Sequence, residues 1–218
     1  MSEADYNPKM LAAKEKLLQR FKSQGRAPRR APADERLPPG QHLTSGFPVL
    51  DLGVRPRFHP KRWRFAVEGA VERPLDVDWE EFIGLAAKSL RRSDFHCVTT
   101  WSKFDVDWAG IALVQLLALV QPAESARYVI VHCADGYTTN LPLADCLDED
   151  VLLAYELFGE PLPREHGGPM RLVVPKLYAW KSAKFVSKLV LSEKDEPGFW
   201  EQRGYHNRGD PWREERHG

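Results

Sequence analysis

A predicted β-hairpin near the middle of the chain is the feature that most limits the fold. Residues 127–133 are rich in β-branched side chains and form a candidate core strand, and a second strand-like run starts at Tyr137, after Asp135 and Gly136. Asp-Gly between two such runs is a strong signal for a tight hairpin turn. Seventeen Pro and fifteen Gly divide the whole chain into short segments. The sequence therefore predicts a mixed, β-rich α+β domain with short helices rather than a long-helix bundle.

Local signals predict the other elements. Trp63, Phe65 and Val67 alternate with other residues, which is the period of a strand with one buried face. Asp78, with Glu81 three residues later, predicts the start of a short helix that ends near Ser89. The remaining predictions are an amphipathic helix over residues 8–23, an extended linker over 26–41, a buried helix over 111–120, a helical turn over 143–147, and strands over 151–157, 172–175 and 185–191.

The length of the chain and the absence of repeats in its sequence favour one globular domain with extensions at both ends. A chain of 218 residues can form one sizeable core, and we see no internal repeat. We expect residues 1–46 to form an N-terminal helix and extended arm, and residues 47–192 to form the domain. Residues 193–218 lack periodicity and are predicted to wrap its surface, with a frayed end. The 31 basic and 31 acidic residues cancel, which argues against binding nucleic acid through bulk charge.

Cysteine usage and apolar patterning predict a location. The three cysteines are odd in number and form no Cys-x-x-Cys pair, so neither a zinc ribbon nor a disulfide framework is indicated. No apolar stretch approaches the ~20 residues that span a bilayer. The first residues do not resemble an export leader. We therefore expect a soluble, cytoplasmic protein without a membrane span.

Cys97 is the most chemically suggestive residue. It follows His96 and precedes a polar loop, so it could be a reactive thiolate or a ligand for a soft metal. It could equally be a half-buried structural cysteine. The other two cysteines, Cys133 and Cys146, fit buried small hydrophobic residues at this level of argument.

A second candidate site is an anion-binding loop. Residues 166–171 combine two flexible glycines with Arg171, whose forked cation suits phosphate or carboxylate oxygens. Lys176, Lys181 and Lys184 could close on the same anion or could form a charged strand face. A solvated turn with a surface Arg is the plain alternative for the loop.

Five ordered motifs, over residues 96–102, 108–111, 135–143, 166–175 and 178–184, together resemble the molybdopterin-binding domain of the sulfite oxidase superfamily. The nearer branch is that of stand-alone bacterial and archaeal domains related to the catalytic subunit of protein-methionine-sulfoxide reductase. The resemblance covers roughly residues 47–191. It implies a sulfite-oxidase-type fold and a cofactor of molybdenum with one molybdopterin.

The resemblance also implies roles for individual residues. Cys97 matches the cysteine whose thiolate binds molybdenum. At two of the matched cofactor-binding positions this chain has a different residue from the family. His166 stands where the family has an Asn, and Cys133, if a one-residue insertion is allowed, stands where the family has a Thr. The full set of matched cofactor-binding residues is Cys133, His166, Arg171, Ser182, Ala183 and Lys184. Four residues beside the motifs are offered as a substrate pocket: His96, Trp101, His132 and Tyr137.

The departures from the family bear on the substrate. Sulfite oxidases place a pair of arginines shortly after the metal cysteine, whereas Val98 to Trp101 contains none. We therefore expect two-electron oxygen-atom transfer on a small sulfoxide or N-oxide rather than sulfite oxidation. The electron donor or acceptor is left unassigned. The alternatives are a non-catalytic cofactor carrier, a metal-free cysteine enzyme with His96 or His132 as base, and a structural interaction module.

Overall fold

The computed structural model describes residues 8–9, 11–12, 15–16, 19 and 35–218. The strands in this part of the chain are β1 His42–Leu43, β2 Phe65–Gly69, β3 Leu75–Val77, β4 Ser89–His96, β5 Trp101–Ala112, β6 Tyr128–Cys133, β7 Thr138–Pro142, β8 Leu152–Leu157, β9 Glu160–Pro161, β10 Arg171–Val173 and β11 Val186–Ser192. Within residues 35–218 the α-helices are α1 Trp79–Gly84 and α2 Leu113–Val120, and the short 3-10 helices are Leu143–Cys146, Arg164–His166 and Glu201–Arg203.

The predicted hairpin forms the edge of a five-stranded sheet with the order β3-β2-β11-β6-β7. Strands β6 and β7 pair antiparallel, and Tyr128 lies opposite Pro142. The Cys133 N–H donates to the carbonyl of Tyr137 across the turn at 3.0 Å, and Gly136 has a φ of 85°. The turn chemistry thus fixed the register locally, and this prediction is confirmed.

The second sheet has six strands and carries the Cys97 segment. Its order is β1-β5-β8-β10, with β4 paired to β5 and β9 paired to β8. Strand β1 comes from the N-terminal arm and pairs parallel with β5. The arm therefore contributes a strand beside the turn that holds Cys97.

The predictions of α1 and α2 each have one correct boundary, the start of α1 and the end of α2. Asp78 and Glu81 form the predicted capping box of α1. The helix ends at Gly84 rather than near Ser89, because Ser89 begins β4 and pairs with Gly110 of β5. Helix α2 begins at Leu113, two residues later than expected, because residues 111–112 still pair with β8. Tertiary pairing overrides local pattern at both places.

The N-terminal helix prediction is only partly described. Residues 8–9, 11–12, 15–16 and 19 are helical, and the remainder of the 8–23 prediction lies outside the described residues, as does most of the predicted 26–41 linker. None of the helices in the described ranges is both long and apolar enough to cross a membrane.

One hydrophobic cluster includes residues of both sheets and reaches into the C-terminal segment. Trp200 and Tyr205 of that segment are buried, and so is Arg216. The segment therefore packs on the domain through these side chains, and its end, where Arg216 is buried, is not frayed as we expected. The segment is irregular because single aromatic side chains insert into the core, and such insertion leaves no strand or helix period in the sequence.

Candidate active site

Cys97 lies in the tight turn between β4 and β5. Its N–H donates to the carbonyl of Trp101 at 2.9 Å, and its own carbonyl accepts from the N–H of Thr100 at 3.0 Å. Thr100 adopts a left-handed φ of 74° to close the turn. The sulfur lies 3.1 Å from Thr99 Oγ1, and the residue is only 6% exposed. The turn thus holds a thiol in a fixed position with little access to water.

The thiol belongs to the wall of a cavity that opens to solvent. Separate parts of the chain meet there: residues 47–52 after the N-terminal arm, the Cys97 turn, the loops before β10 and β11, and the C-terminal segment. The lining residues with chemical or aromatic character are Phe47, Asp51, Phe95, Cys97, Thr99, Trp101, Tyr137, His166, Arg171, Trp180, Ser182, Lys184, Trp200 and Tyr205.

Arg171 places a buried positive charge at this wall. The side chain donates to the carbonyls of Ser182 at 2.7 Å, His166 at 3.0 Å and Leu172 at 3.3 Å. Within the described ranges no carboxylate forms an ion pair with it. Burial lowers the pKa of Arg171 to about 9. A guanidinium that is desolvated without a counter-charge favours an anionic ligand.

Lys184 adds a second cation. Its ammonium donates to the carbonyl of Glu165 at 2.6 Å and lies 3.9 Å from a carboxylate oxygen of Asp51. Gly167, with a φ of 110°, lies so close that a Cβ there would be 2.9 Å from Lys184 Cγ. The glycine loop foreseen in the sequence therefore forms a cradle for the lysine side chain.

His166 and Tyr137 complete the sequence-predicted wall. The His166 ring lies 4.6 Å from the ring of Phe47, and burial together with Arg171 and Lys184 lowers the pKa of the imidazole. The Tyr137 hydroxyl donates to the carbonyl of Trp180 at 2.7 Å, and burial raises the pKa of the phenol well above its usual range. Neutral His166 and protonated Tyr137 are therefore the forms present at neutral pH.

Three sequence-predicted site residues do not reach the cavity wall. The Nδ1 of His96 lies 2.8 Å from Ser102 Oγ on the far side of the strand, and burial lowers the pKa of His96 to about 4. His132 is half-buried on β6, where burial and Lys188 lower its pKa. Cys133 is buried near Arg171, and burial raises the pKa of its thiol. Of the other predicted cations, Lys176 pairs with Asp145 and Asp148, and Lys181 is buried behind the wall.

Sequence reasoning predicted no site residue in two stretches that reach the wall. Phe47 and Asp51 lie directly after the N-terminal arm, and Trp200 and Tyr205 lie in the C-terminal segment. Burial, and secondarily the neighbouring Cys97, raise the pKa of the Tyr205 hydroxyl, so that it keeps its proton at neutral pH. The one available signal was the concentration of aromatic residues in an otherwise polar stretch.

The donor set fits an anionic cofactor that brings most of its own metal ligands. A thiolate at Cys97 is a soft ligand, and the buried Arg171 and the Lys184 cradle suit an anion. In the part of the chain that is described, no group of three or more His, Cys, Asp or Glu residues could hold a metal ion. The predicted molybdopterin would bring dithiolene ligands of its own, so it is compatible with a site in which Cys97 is the one protein ligand that we predict.

Comparisons with known proteins agree with this chemistry. The family model described as oxidoreductase molybdopterin binding domain matches residues 52–200. The uncharacterized oxidoreductase YuiH of Bacillus subtilis is 43% identical over 182 residues, which are 83% of this chain and 91% of that protein.

More distant relatives are longer. The catalytic subunits MsrP of protein-methionine-sulfoxide reductase from Ralstonia nicotianae and Gluconobacter oxydans are each 31% identical over 65% and 66% of this chain. The chain spans only 47% and 51% of their lengths. Among solved structures, the sulfane dehydrogenase SoxCD from Paracoccus pantotrophus has a TM-score of 0.62 at 21% identity and covers 74% of this chain and 47% of its own. That likeness confirms the predicted fold class.

Proposed function

We propose that this chain, which belongs to the oxidoreductase molybdopterin binding domain family and is an enzyme of the sulfite oxidase superfamily, catalyses oxygen-atom transfer on a small substrate. The observation that carries the proposal is that one cavity wall contains both the Cys97 thiol and the buried guanidinium of Arg171. The thiol suits a soft metal, and the guanidinium lacks an ion-paired carboxylate among the described residues.

The chain's own residues would hold molybdenum and one molybdopterin in distinct ways. Bound molybdenum supplies two-electron chemistry for moving an oxygen atom to or from a substrate. Cys97 would bind the metal, and the cofactor-binding set would be His166, Arg171, Ser182, Ala183 and Lys184. Cys133, which does not line the cavity, would act only through its neighbour Arg171.

The remaining wall would receive the substrate. Trp101, Trp180 and Trp200 exclude water, and the protonated hydroxyl of Tyr205 can donate a hydrogen bond to a substrate oxygen. Because no arginine follows Cys97 in the turn, we propose a neutral sulfoxide or N-oxide as substrate. The name of the MsrP relatives, protein-methionine-sulfoxide reductase, supports the sulfoxide.

We also propose a division of the chain into a domain with two extensions, and a cellular location. The family match over residues 52–200 supports a core close to the proposed 47–192 domain, with 1–46 and 193–218 as extensions. We propose a cytoplasmic enzyme with a separate electron donor or acceptor.

Elemental analysis for molybdenum and fluorescence analysis of released pterin would test the proposal on protein made in a host that synthesises the cofactor. We expect near-stoichiometric metal and pterin in the wild type, loss of metal in Cys97→Ser, and no change in Cys146→Ala. Cys146 is fully buried away from the cavity and serves as the matched thiol control. Absence of both metal and pterin from the wild type would refute the proposal.

A substrate assay would separate the enzyme from a carrier. We expect loaded wild type to reoxidise a reduced viologen dye with methionine sulfoxide, dimethyl sulfoxide or an amine N-oxide, and to oxidise sulfite poorly. Loaded protein that turns over none of these substrates would favour the non-catalytic carrier instead.

A further inference from the structure

A buried ion pair lies directly behind the cavity wall. Lys181 Nζ is 2.6 Å from Glu201 Oε1, and the side chains are 0% and 2% exposed. Lys181 stands between Trp180 and Ser182, both of which line the cavity, but it does not line the cavity itself. Glu201 lies one residue beyond the family match, which ends at residue 200. A pair this deeply buried carries a desolvation penalty, so its retention calls for an explanation.

Glu201 binds the loop before β11 at more than one point. Its Oε1 accepts from Trp180 Nε1 at 2.9 Å and from Thr139 Oγ1 at 3.0 Å, in addition to Lys181. The same ammonium donates to the carbonyl and the side-chain oxygen of Asn140 at 2.8 and 3.0 Å. All three ammonium protons thus have acceptors, and two neighbouring loop residues are tied to one carboxylate.

The loop that is tied in this way carries the cofactor side of the wall. Ser182, Ala183 and Lys184 follow Lys181 directly, and the carbonyl of Ser182 accepts from Arg171 at 2.7 Å. Rotation of Trp180 or Lys181 would move that carbonyl and the wall with it. Replacement of a buried ion pair by apolar residues is often neutral or stabilising, so stability alone does not explain the pair.

We propose that Glu201 is a positioning residue, which through Trp180 and Lys181 fixes residues 182–184 in the conformation that retains the pterin cofactor. The inference rests on the proposed function, since it concerns how tightly the same site holds the same cofactor. It assigns a role to the C-terminal segment outside the family match.

The test measures pterin release from the purified holoenzyme. Wild type, Glu201→Gln and Leu116→Ala would be desalted, and the pterin remaining with the protein would be followed over time by fluorescence after oxidation. Leu116 is fully buried in α2 and does not line the cavity, so it controls for a general loss of stability. We expect Glu201→Gln to release pterin about 10- to 100-fold faster than wild type, by analogy with the loss of metal affinity when a hydrogen-bond partner of a metal ligand is removed.

A second variant separates positioning from folding. Lys181→Met with Glu201→Gln removes both charges but keeps an amide oxygen as acceptor for Trp180 Nε1 and Thr139 Oγ1, so its melting temperature is expected to be close to that of wild type, with pterin release still fast. The inference is overturned if this variant or a folded Glu201→Gln releases pterin at the wild-type rate, or if Leu116→Ala releases it as fast as Glu201→Gln does. Wild-type protein that never contains pterin would refute the proposed function instead. That result depends on the wild-type measurement alone, so the two failures can be told apart.

Discussion

Asp135→Asn should make the cofactor-free protein more stable at neutral pH. Asp135 is 4% exposed, and its carboxylate accepts a hydrogen bond from the Tyr137 N–H at 3.1 Å in the turn between β6 and β7. Burial, partly offset by hydrogen bonds and by Lys184, raises the pKa of Asp135 to about 6. An Asn side chain has the same shape and keeps an acceptor for that N–H, but it removes the buried charge.

The raised pKa gives the size of the effect. The difference between the ordinary value of 3.8 and about 6, at ~1.36 kcal/mol for each pH unit, corresponds to a destabilisation of about 3 kcal/mol when the group is ionised. Because the folded state binds this proton more tightly than the unfolded state, the penalty is complete above pH 7 and falls as the pH drops through 6 toward 3.8. The stabilisation by Asn should therefore be about 3 kcal/mol at pH 7.5 and ~1.5 kcal/mol at pH 5.

Urea unfolding of both proteins at several pH values between 5 and 8 would check this, because other titrating groups cancel in the difference. Asp76→Asn is the matched control. Asp76 is 67% exposed in an ion pair with Arg64, and its replacement should change the free energy of unfolding by less than ~1 kcal/mol at any pH. An Asp135→Asn protein that is less stable than wild type, or whose advantage does not change with pH, would refute the reasoning.

Three further predictions concern burial and backbone space. Burial keeps His96 neutral and lowers its pKa to about 4, so the free energy of unfolding of the wild type should fall by up to ~3 kcal/mol as the pH drops from 6.5 to about 4. His96→Asn should remove most of this pH dependence in urea titrations. Gly209→Ala would place a Cβ 2.6 Å from the Trp180 ring at a φ of 82°, so it should shift the near-ultraviolet circular dichroism of the protein and destabilise it by about 1–3 kcal/mol. Gly110→Ala would place a Cβ 2.1 Å from the Leu153 carbonyl and should destabilise by at least about 1 kcal/mol, whereas Gly84→Ala meets nothing within 4 Å and should be neutral or slightly stabilising in thermal unfolding.

Elements with local causes could be predicted from the sequence. The β6–β7 hairpin follows from Asp135-Gly136, and the start of α1 follows from the side chain of Asp78. The end of α1 and the start of α2 could not be predicted, because strand pairing between β4, β5 and β8 decides them. Such pairing joins residues that are distant in the sequence and leaves no local pattern.

The site predictions divide along the same line. Cys97 and Arg171 were found because their residue types carry the chemistry, and both line the cavity. His96 was chosen for adjacency to Cys97, but it ends strand β4 while Cys97 belongs to the following turn, and its ring is hydrogen-bonded to Ser102 and does not line the cavity. Tyr205 lies more than one hundred residues from Cys97, and only the path of the C-terminal segment brings them together.

Two buried cations show what the fold adds to a sequence reading. Lys181 and Arg171 are both nearly inaccessible to water, and both were candidate anion ligands from the sequence alone. Glu201 neutralises Lys181 at 2.6 Å, whereas Arg171 bonds only to backbone carbonyls among the described residues. The charge of Lys181 is therefore already paired, whereas the charge of Arg171 faces no carboxylate among the described residues, which is why we propose that it binds the anionic cofactor. The carboxylate that makes this distinction comes from the C-terminal segment, so the chemistry of the site depends on how that segment docks.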